Sequence, residues 1–358
     1  MGACVMIMAG GTGGHVFPAL AVAEELRGRG MDVFWLGTRN SFEARTVPEY
    51  GIPMEWVDVQ GLRGTGVSRW LAAPFKLGLA MFQSLVVLRR QRPAVVLGMG
   101  GFVAGPGGVM ARLLGIPLVI HEQNAVPGMT NQWLARIANR VLEAFPGSFA
   151  PGCKAEETGN PVRTEITALP APVERMAGNK GPLRLLIVGG SLGAQALNET
   201  VPEALAIIAQ NRRPLVRHQA GLGKDEATLA AYKTNGVEAN VQPFIADMAE
   251  AYGWADLVIC RSGALTVSEL AAAGVGSVLV PFPYAVDDHQ TCNAAFLCSA
   301  EAARLMPQTE LTGESLAACL SELLNDREQL QAMAGKARAL AQPEAAKRVA
   351  DVCLEEIA

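Results

Sequence analysis

Residues 6–26, MIMAGGTGGHVFPALAVAEEL, run from an apolar strand through a glycine-rich loop closed by His15 into a helix. Glycines let a backbone approach an anion closely, and the N–H groups at a helix start favour negative charge. The shape is that of a phosphate grip, and spacing tests which one. For a dinucleotide fingerprint, Gly11 and Gly13 fit G-x-G, but Val16 stands where the last glycine belongs. The next strand, DVFWLG (32–37), leads into Thr38 and Arg39 rather than an acid for a ribose. For a P-loop, the lysine and Ser/Thr are replaced by His15 and Val16. Ordinary NAD binding and NTPase chemistry are both disfavoured.

The same pattern recurs in the second half. LLIVGGSLGA (185–194) matches the first loop, with Gly189-Gly190-Ser191 against Gly10-Gly11-Thr12. Later in each half a strand enters a second small-residue turn and a helix, VVLGMGGFVAG (95–105) and LVICRSGALTVSE (257–269). A further strand with a polar end follows, LVIHEQN (118–124) and VLVPFPYAVDDHQ (278–290). Short apolar runs alternating with helical segments predict parallel strands with helical crossovers, hence an α/β chain of two doubly wound, Rossmann-like domains in tandem. Such sheets bind ligands outside the carboxyl ends of their strands, where all these motifs fall. The Pro/Gly-rich stretch from ETGNPVRTEI (157–166) to ALPAPVERMAGNKGP (168–182) is the expected hinge. The domains expected are 1–161 and 162–342, and PEAAKRVADVCLEEIA (343–358) reads as an amphipathic helix beginning after Pro343.

Composition bounds the function. The 358 residues suffice for two cores; only 18% are charged, against roughly 25% in ordinary soluble domains, and 50% are hydrophobic. A net charge of −4 carries no basic field for nucleic acid. Seven cysteines without a C-x-x-C predict reduced thiols, and a start without a basic n-region predicts no export, so the cytoplasm is the expected compartment. The uncharged run Pro93–Ala111 approaches the length of a membrane span, but its six glycines and Pro106 mark a strand, a turn and a helix from about Ala104.

Six motifs stand in order: AGGTGGH (9–15), HEQN (121–124), GNPVR (159–163), GGSLGA (189–194), RSGALTVSEL (261–270) and DDHQTCNA (287–294). Together they resemble, over nearly the whole chain, the MurG family of bacterial peptidoglycan glycosyltransferases. The resemblance implies a GT-B fold, two Rossmann-like domains facing a cleft, with the final helix returning to the N-terminal domain. It implies transfer of N-acetylglucosamine from UDP-GlcNAc to undecaprenyl-pyrophosphoryl-MurNAc-pentapeptide (lipid I), giving lipid II, without metal or other cofactor. Rival readings are another UDP-sugar GT-B enzyme, such as a 2-epimerase or lipid glycosyltransferase, a non-catalytic two-domain ligand-binding protein, and an atypical NAD oxidoreductase.

On that resemblance, the turn and helix start at Ala264, Leu265, Thr266, Val267 and Ser268 hold the nucleotide, and Glu269 binds the ribose diol, for which a two-lone-pair carboxylate is suited. Ser191 and Arg163 contact phosphate, the Ile245 backbone pairs with uracil, and Gln290 binds the donor sugar's hydroxyls. Thr12, Gly13, Gly14 and Asn124 lie near the donor sugar and the cleft. No D-x-D and no compact His/Asp cluster is present. Histidine is the side chain whose unperturbed pKa, about 6.5, lies nearest neutrality, so His15 suits a general base. Glu122 is the rival base, and His121, closing a strand, is read as structural.

RWLAAPFKLGLAMFQSLVVLRRQRP (69–93) is apolar on more than one helical face: Phe75, Leu79, Phe82 and Val86 on one, Leu77, Met81, Leu85 and Leu88 on another. Trp70 at one end and Arg69, Lys76, Arg89, Arg90 and Arg92 around it are the composition of a helix lying at an anionic membrane surface. With a lipid-linked acceptor, the expectation is peripheral attachment at the cytoplasmic face of the inner membrane.

Overall fold

The computed structural model describes residues 3–58, 67–178, 181–190 and 193–357, with backbone alone at 67–73 and 286. Among them are two compact units: residues 1–163 with 342–358, and residues 164–341.

The N-terminal unit is built on a parallel seven-stranded sheet. Its strands are β1 (Cys4–Met8), β2 (Asp32–Gly37), β3 (Met54–Trp56), β4 (Val95–Gly98), β5 (Leu118–Glu122), β6 (Arg140–Glu143) and β7 (Ala155–Glu157). They lie in the order β3-β2-β1-β4-β5-β6-β7, so the order reverses between β1 and β4. Successive residues of β1 point to opposite faces. Val5 and Ile7 join one core cluster and Met6 and Met8 the other. Both faces are therefore covered, which is why β1 reads as a continuous apolar run.

The helices of this unit are α1 (Gly13–Gly28), α2 (Phe42–Thr46), α3 (Val67–Gln91), α4 (Ala104–Leu113) and α5 (Met129–Leu134), with a C-terminal helix, Ala345–Glu355. The C-terminal helix packs Val349, Ala350, Val352 and Cys353 into the cluster that α1 lines with Val16, Leu20 and Ala23. Arg29 pairs with Asp351 across this contact, and Arg140 Nη1 meets Glu355 at 2.9 Å. The division falls after Arg163 rather than after Pro161, because Val162 is buried and the Arg163 guanidinium lies over the Phe17 ring, 5.3 Å from its centroid.

In α3, Ala80, Ser84, Val87 and Leu88 are buried and Met81 and Leu85 half-buried. Phe75, Leu77, Leu79, Phe82 and Val86 remain exposed on the same helix. The Trp70 and Arg69 side chains lie outside the described residues. No helix among the described residues is long and apolar enough to cross a membrane.

The second unit repeats the plan with a parallel six-stranded sheet. Its strands are β8 (Arg184–Val188), β9 (Leu215–Gln219), β10 (Asn240–Gln242), β11 (Leu257–Cys260), β12 (Gly276–Leu279) and β13 (Ala303–Leu305). The order β10-β9-β8-β11-β12-β13 reverses between β8 and β11. In each unit the two glycine-containing turns leave the two strands that flank the reversal, where doubly wound sheets bind ligands.

Candidate active site

In the N-terminal unit, β1 delivers Gly10 and Gly11 to Thr12, whose extended backbone (φ −142°, ψ 160°) starts α1. The Thr12 side chain makes no cap and the first turn holds no acid, so this helix start is not neutralised by its own side chains. One position upstream the anion place is filled from within. The Glu43 carboxylate of α2, 1% exposed, accepts the N–H of Gly11 at 3.0 Å, the N–H of Thr38 at 3.1 Å and the Thr38 hydroxyl at 2.7 Å. Burial pulls the Glu43 pKa up, but these hydrogen bonds outweigh it and hold the carboxyl below its ordinary value. A Cβ at Gly10 would lie 2.7 Å from the carboxylate, so only glycine fits there. The failed dinucleotide spacing thus has a physical counterpart: a side chain occupies the loop.

The turn after β4 closes on the same loop. Gly101 has φ +83°, and a Cβ there would stand 2.5 Å from the Gly10 carbonyl oxygen, so the two turns meet backbone to backbone. Beside them, half-buried His15 places Nδ1 2.7 Å from Gln123 Oε1. Gln123 is buried at the end of β5, with its Nε2 2.9 Å from His121 Nδ1. His121 Nε2 lies 3.0 Å from the Gly159 carbonyl oxygen, and burial pushes the His121 pKa down to about 4. His121 is inside the fold, as its place at a strand end predicts.

Glu122 is the rival candidate base. It is 1% exposed, and its carboxylate accepts four hydrogen bonds: from Asn124 N at 2.9 Å, Asn124 Nδ2 at 3.1 Å, Gly128 N at 3.1 Å and Asn131 Nδ2 at 2.9 Å. A carboxylate so engaged holds the 122–131 loop together; its lone pairs serve the loop. Asn124, oriented by that carboxylate, is half-buried beside it.

In the second unit, Gly189 and Gly190 leave β8; Ser191 lies outside the described residues. From β11 the chain passes through Arg261, Ser262 and Gly263 into the helix Ala264–Ala273, whose start has neither a side-chain cap nor an acid in its first turn. Ala264 and Val267 are buried, whereas Leu265, Thr266 and Ser268 are half-buried, and Ser268 Oγ donates back to the Ala264 carbonyl at 3.0 Å. Ser262 is fully buried, and its hydroxyl has no hydrogen-bond partner among the described residues. Arg261 does not face it: the guanidinium is held by the carbonyls of Val280 and Pro281, both at 3.1 Å.

Glu269 is 5% exposed and accepts the Tyr252 hydroxyl at 3.1 Å. The Ile245 N–H donates to Gln219 Oε1 at 3.0 Å, and its side chain is buried. Gln290 Oε1 accepts the Phe282 N–H at 2.9 Å, which turns its amide NH2 to the other side. Asp287 and Asp288, just before it, adopt left-handed backbone conformations (φ 53° and 49°). Four supporting residues, Glu43, Gln123, Gln219 and Tyr252, carry no sequence signal of their own; only Gln123 sits within a quoted motif.

Comparison with known proteins places both halves. Residues 5–143 match the glycosyltransferase family 28 N-terminal domain, and residues 184–349 match the glycosyltransferase family 28 C-terminal domain. A relative from Alkalilimnicola ehrlichii, named UDP-N-acetylglucosamine–N-acetylmuramyl-(pentapeptide) pyrophosphoryl-undecaprenol N-acetylglucosamine transferase, is 58% identical over 352 residues, 98% of each chain. A Marinobacter nauticus protein of the same name is 56% identical over 98% of this chain and 96% of its own. The crystal structure of Acinetobacter baumannii MurG superposes with a TM-score of 0.85 at 47% identity, covering 99% of each chain. A Listeria monocytogenes structure described as a UDP-N-acetylglucosamine 2-epimerase, at 15% identity and TM-score 0.69 over 98% of this chain and 95% of its own, shares the fold alone.

Proposed function

The chain belongs to glycosyltransferase family 28 in both of its halves, and from that premise we propose the reaction it performs. It transfers N-acetylglucosamine from UDP-GlcNAc to the MurNAc 4-hydroxyl of undecaprenyl-pyrophosphoryl-MurNAc-pentapeptide, converting lipid I to lipid II in peptidoglycan synthesis. The observation that carries this is identity of 56–58% along almost the full length of relatives bearing that activity in their names.

In our reading the donor nucleotide is held by the second unit. The open start of the helix Ala264–Ala273 and the Ser262 turn meet the diphosphate, where backbone N–H groups stabilise the negative charge of departing UDP. Glu269 accepts from the ribose hydroxyls, the Ile245 carbonyl from the uracil N3–H, and the Gln290 amide donates to the sugar. At the N-terminal unit His15 takes the proton of the acceptor hydroxyl, the oxygen attacks the anomeric carbon, and UDP leaves from the opposite face, so the configuration inverts. His15 is preferred to Glu122 because, among the described residues, only its Nδ1 is engaged in a hydrogen bond, whereas both Glu122 oxygens are engaged.

The acceptor's lipid sets the location. Phe75, 82% exposed, and Phe82, 63% exposed, together with Leu79, Val86 and the basic Lys76 and Arg89, form an apolar and cationic helix face suited to anionic lipid at the cytoplasmic side of the membrane.

The test is incubation with labelled UDP-GlcNAc and a lipid I analogue, with and without EDTA. Labelled lipid II in both arms is expected. Sugar release or epimerisation without transfer to the acceptor overturns the reading.

A further inference from the structure

We propose that Gln123 is a positioning residue for His15, fixing it as the tautomer that carries its proton on Nδ1 and presents the lone pair of Nε2. This rests on the reading of His15 as the base and deepens it.

The Gly159 carbonyl accepts and never donates, so His121 Nε2, 3.0 Å away, carries a proton. His121 is fully buried, and burial holds its pKa near 4, against the opposing pull of the Gly159 hydrogen bond and the Glu122 charge. It is therefore neutral at working pH, with its lone pair on Nδ1.

Gln123 Nε2 stands 2.9 Å from that lone pair and 3.0 Å from the His121 carbonyl oxygen. Two acceptors on one side require the amide NH2 there. The flipped amide would set its oxygen against both, and with Gln123 only 1% exposed no bulk water relieves the mismatch. The Gln123 oxygen is thereby turned toward His15, 2.7 Å from Nδ1. An amide oxygen accepts only, so His15 Nδ1 donates, and in the neutral ring Nε2 is left unprotonated. The Gly159 carbonyl thus sets, through the His121 and Gln123 side chains, which nitrogen of His15 can receive a proton. No net charge is needed along the chain, which distinguishes it from a carboxylate-oriented histidine.

The experiment is 15N NMR of the full-length protein labelled at histidine, at a pH where His15 is neutral, with the His15 signals assigned by their loss in His15→Ala. The wild type is expected as the Nδ1–H form, the minority form of free histidine in water. Gln123→Leu should move His15 toward the Nε2–H form and lower kcat about 100-fold, the scale of a general-base contribution, with KM for UDP-GlcNAc little changed. Gln123→Met, which keeps the length of the side chain but has no amide oxygen, should shift His15 the same way. An Nε2–H His15 in the wild type, or an unchanged tautomer in Gln123→Leu, overturns the proposal. Should Gln123→Leu not fold, the wild-type spectrum and Gln123→Met decide. Full turnover by His15→Ala would instead remove the base assignment while leaving the tautomer result standing.

Discussion

Glu43 Oε2 accepts the backbone N–H of Gly11 at 3.0 Å, so the anion held by the first glycine loop is a carboxylate of the chain itself. The loop is pinned in the shape that presents Thr12 and His15, instead of waiting for a phosphate to order it. Glu43→Gln should cost about 2 kcal/mol at neutral pH, the scale of a hydrogen bond to a buried charge. The sign with pH follows from the lowered folded-state pKa. The contribution is fully present above the unfolded carboxyl value of about 4.3 and is lost as pH falls through the lower folded value. Denaturant melts of both proteins should therefore differ at pH 7 and converge in acid. A difference that is the same at every pH would remove the ionised carboxylate from this account.

Glu122 and His15 should separate stability from chemistry. Glu122→Gln presents an amide NH2 to a site built entirely of donors, and is expected to lower stability by about 2 kcal/mol while turnover per folded molecule stays within about tenfold of wild type. His15→Ala should leave the melt nearly unchanged and reduce kcat by about 100-fold or more. Paired melts and steady-state kinetics check both; the reverse pattern would restore Glu122 as the base.

Much of this was legible in the sequence because the signal is carried by long apolar runs. DVFWLG coincides with β2, and the turn-to-helix reading at Ala104 coincides with the start of α4. The short strands β3, β7, β10 and β13 were not legible: each is three residues long, lies at a sheet edge and mixes polar with apolar residues, so neither period nor composition marks it. At the site, glycine turns and helix starts announce themselves locally. The groups that orient the site do not: Glu43 reaches Gly11 across 32 residues, and Gln123 reaches His15 across 108. A buried carboxylate and a solvated helix acid look alike until the fold brings the donors.

Tyr252 offers a test of the donor half. Its hydroxyl donates to Glu269 at 3.1 Å, and both side chains are buried. Tyr252→Phe removes that bond with little change in volume. If Glu269 binds the ribose, loss of about 1 kcal/mol of orientation should raise KM for UDP-GlcNAc about fivefold with kcat unchanged. A fall in kcat at constant KM would place Glu269 elsewhere in the reaction.

The exposed face of α3 makes the last prediction. Ala80, Val87 and Leu88 seat the helix on the core, and Phe75, Leu79, Phe82 and Val86 are left with most or much of their surface in water. Burying one phenylalanine in an apolar phase is worth about 1.5–3 kcal/mol, and each basic residue near an anionic surface about 1 kcal/mol. Phe82→Asp should therefore weaken binding to phosphatidylglycerol-containing vesicles by more than about tenfold, because it removes an apolar anchor and adds a charge repelled by the lipid. Arg89→Ala should weaken it about fivefold and flatten its salt dependence. Sedimentation with vesicles, compared with turnover on a short-chain acceptor, reads the two effects apart. Turnover on the short acceptor should survive both substitutions, since neither touches the site residues, and vesicle binding indifferent to Phe82→Asp and to salt would assign the face to something other than a membrane.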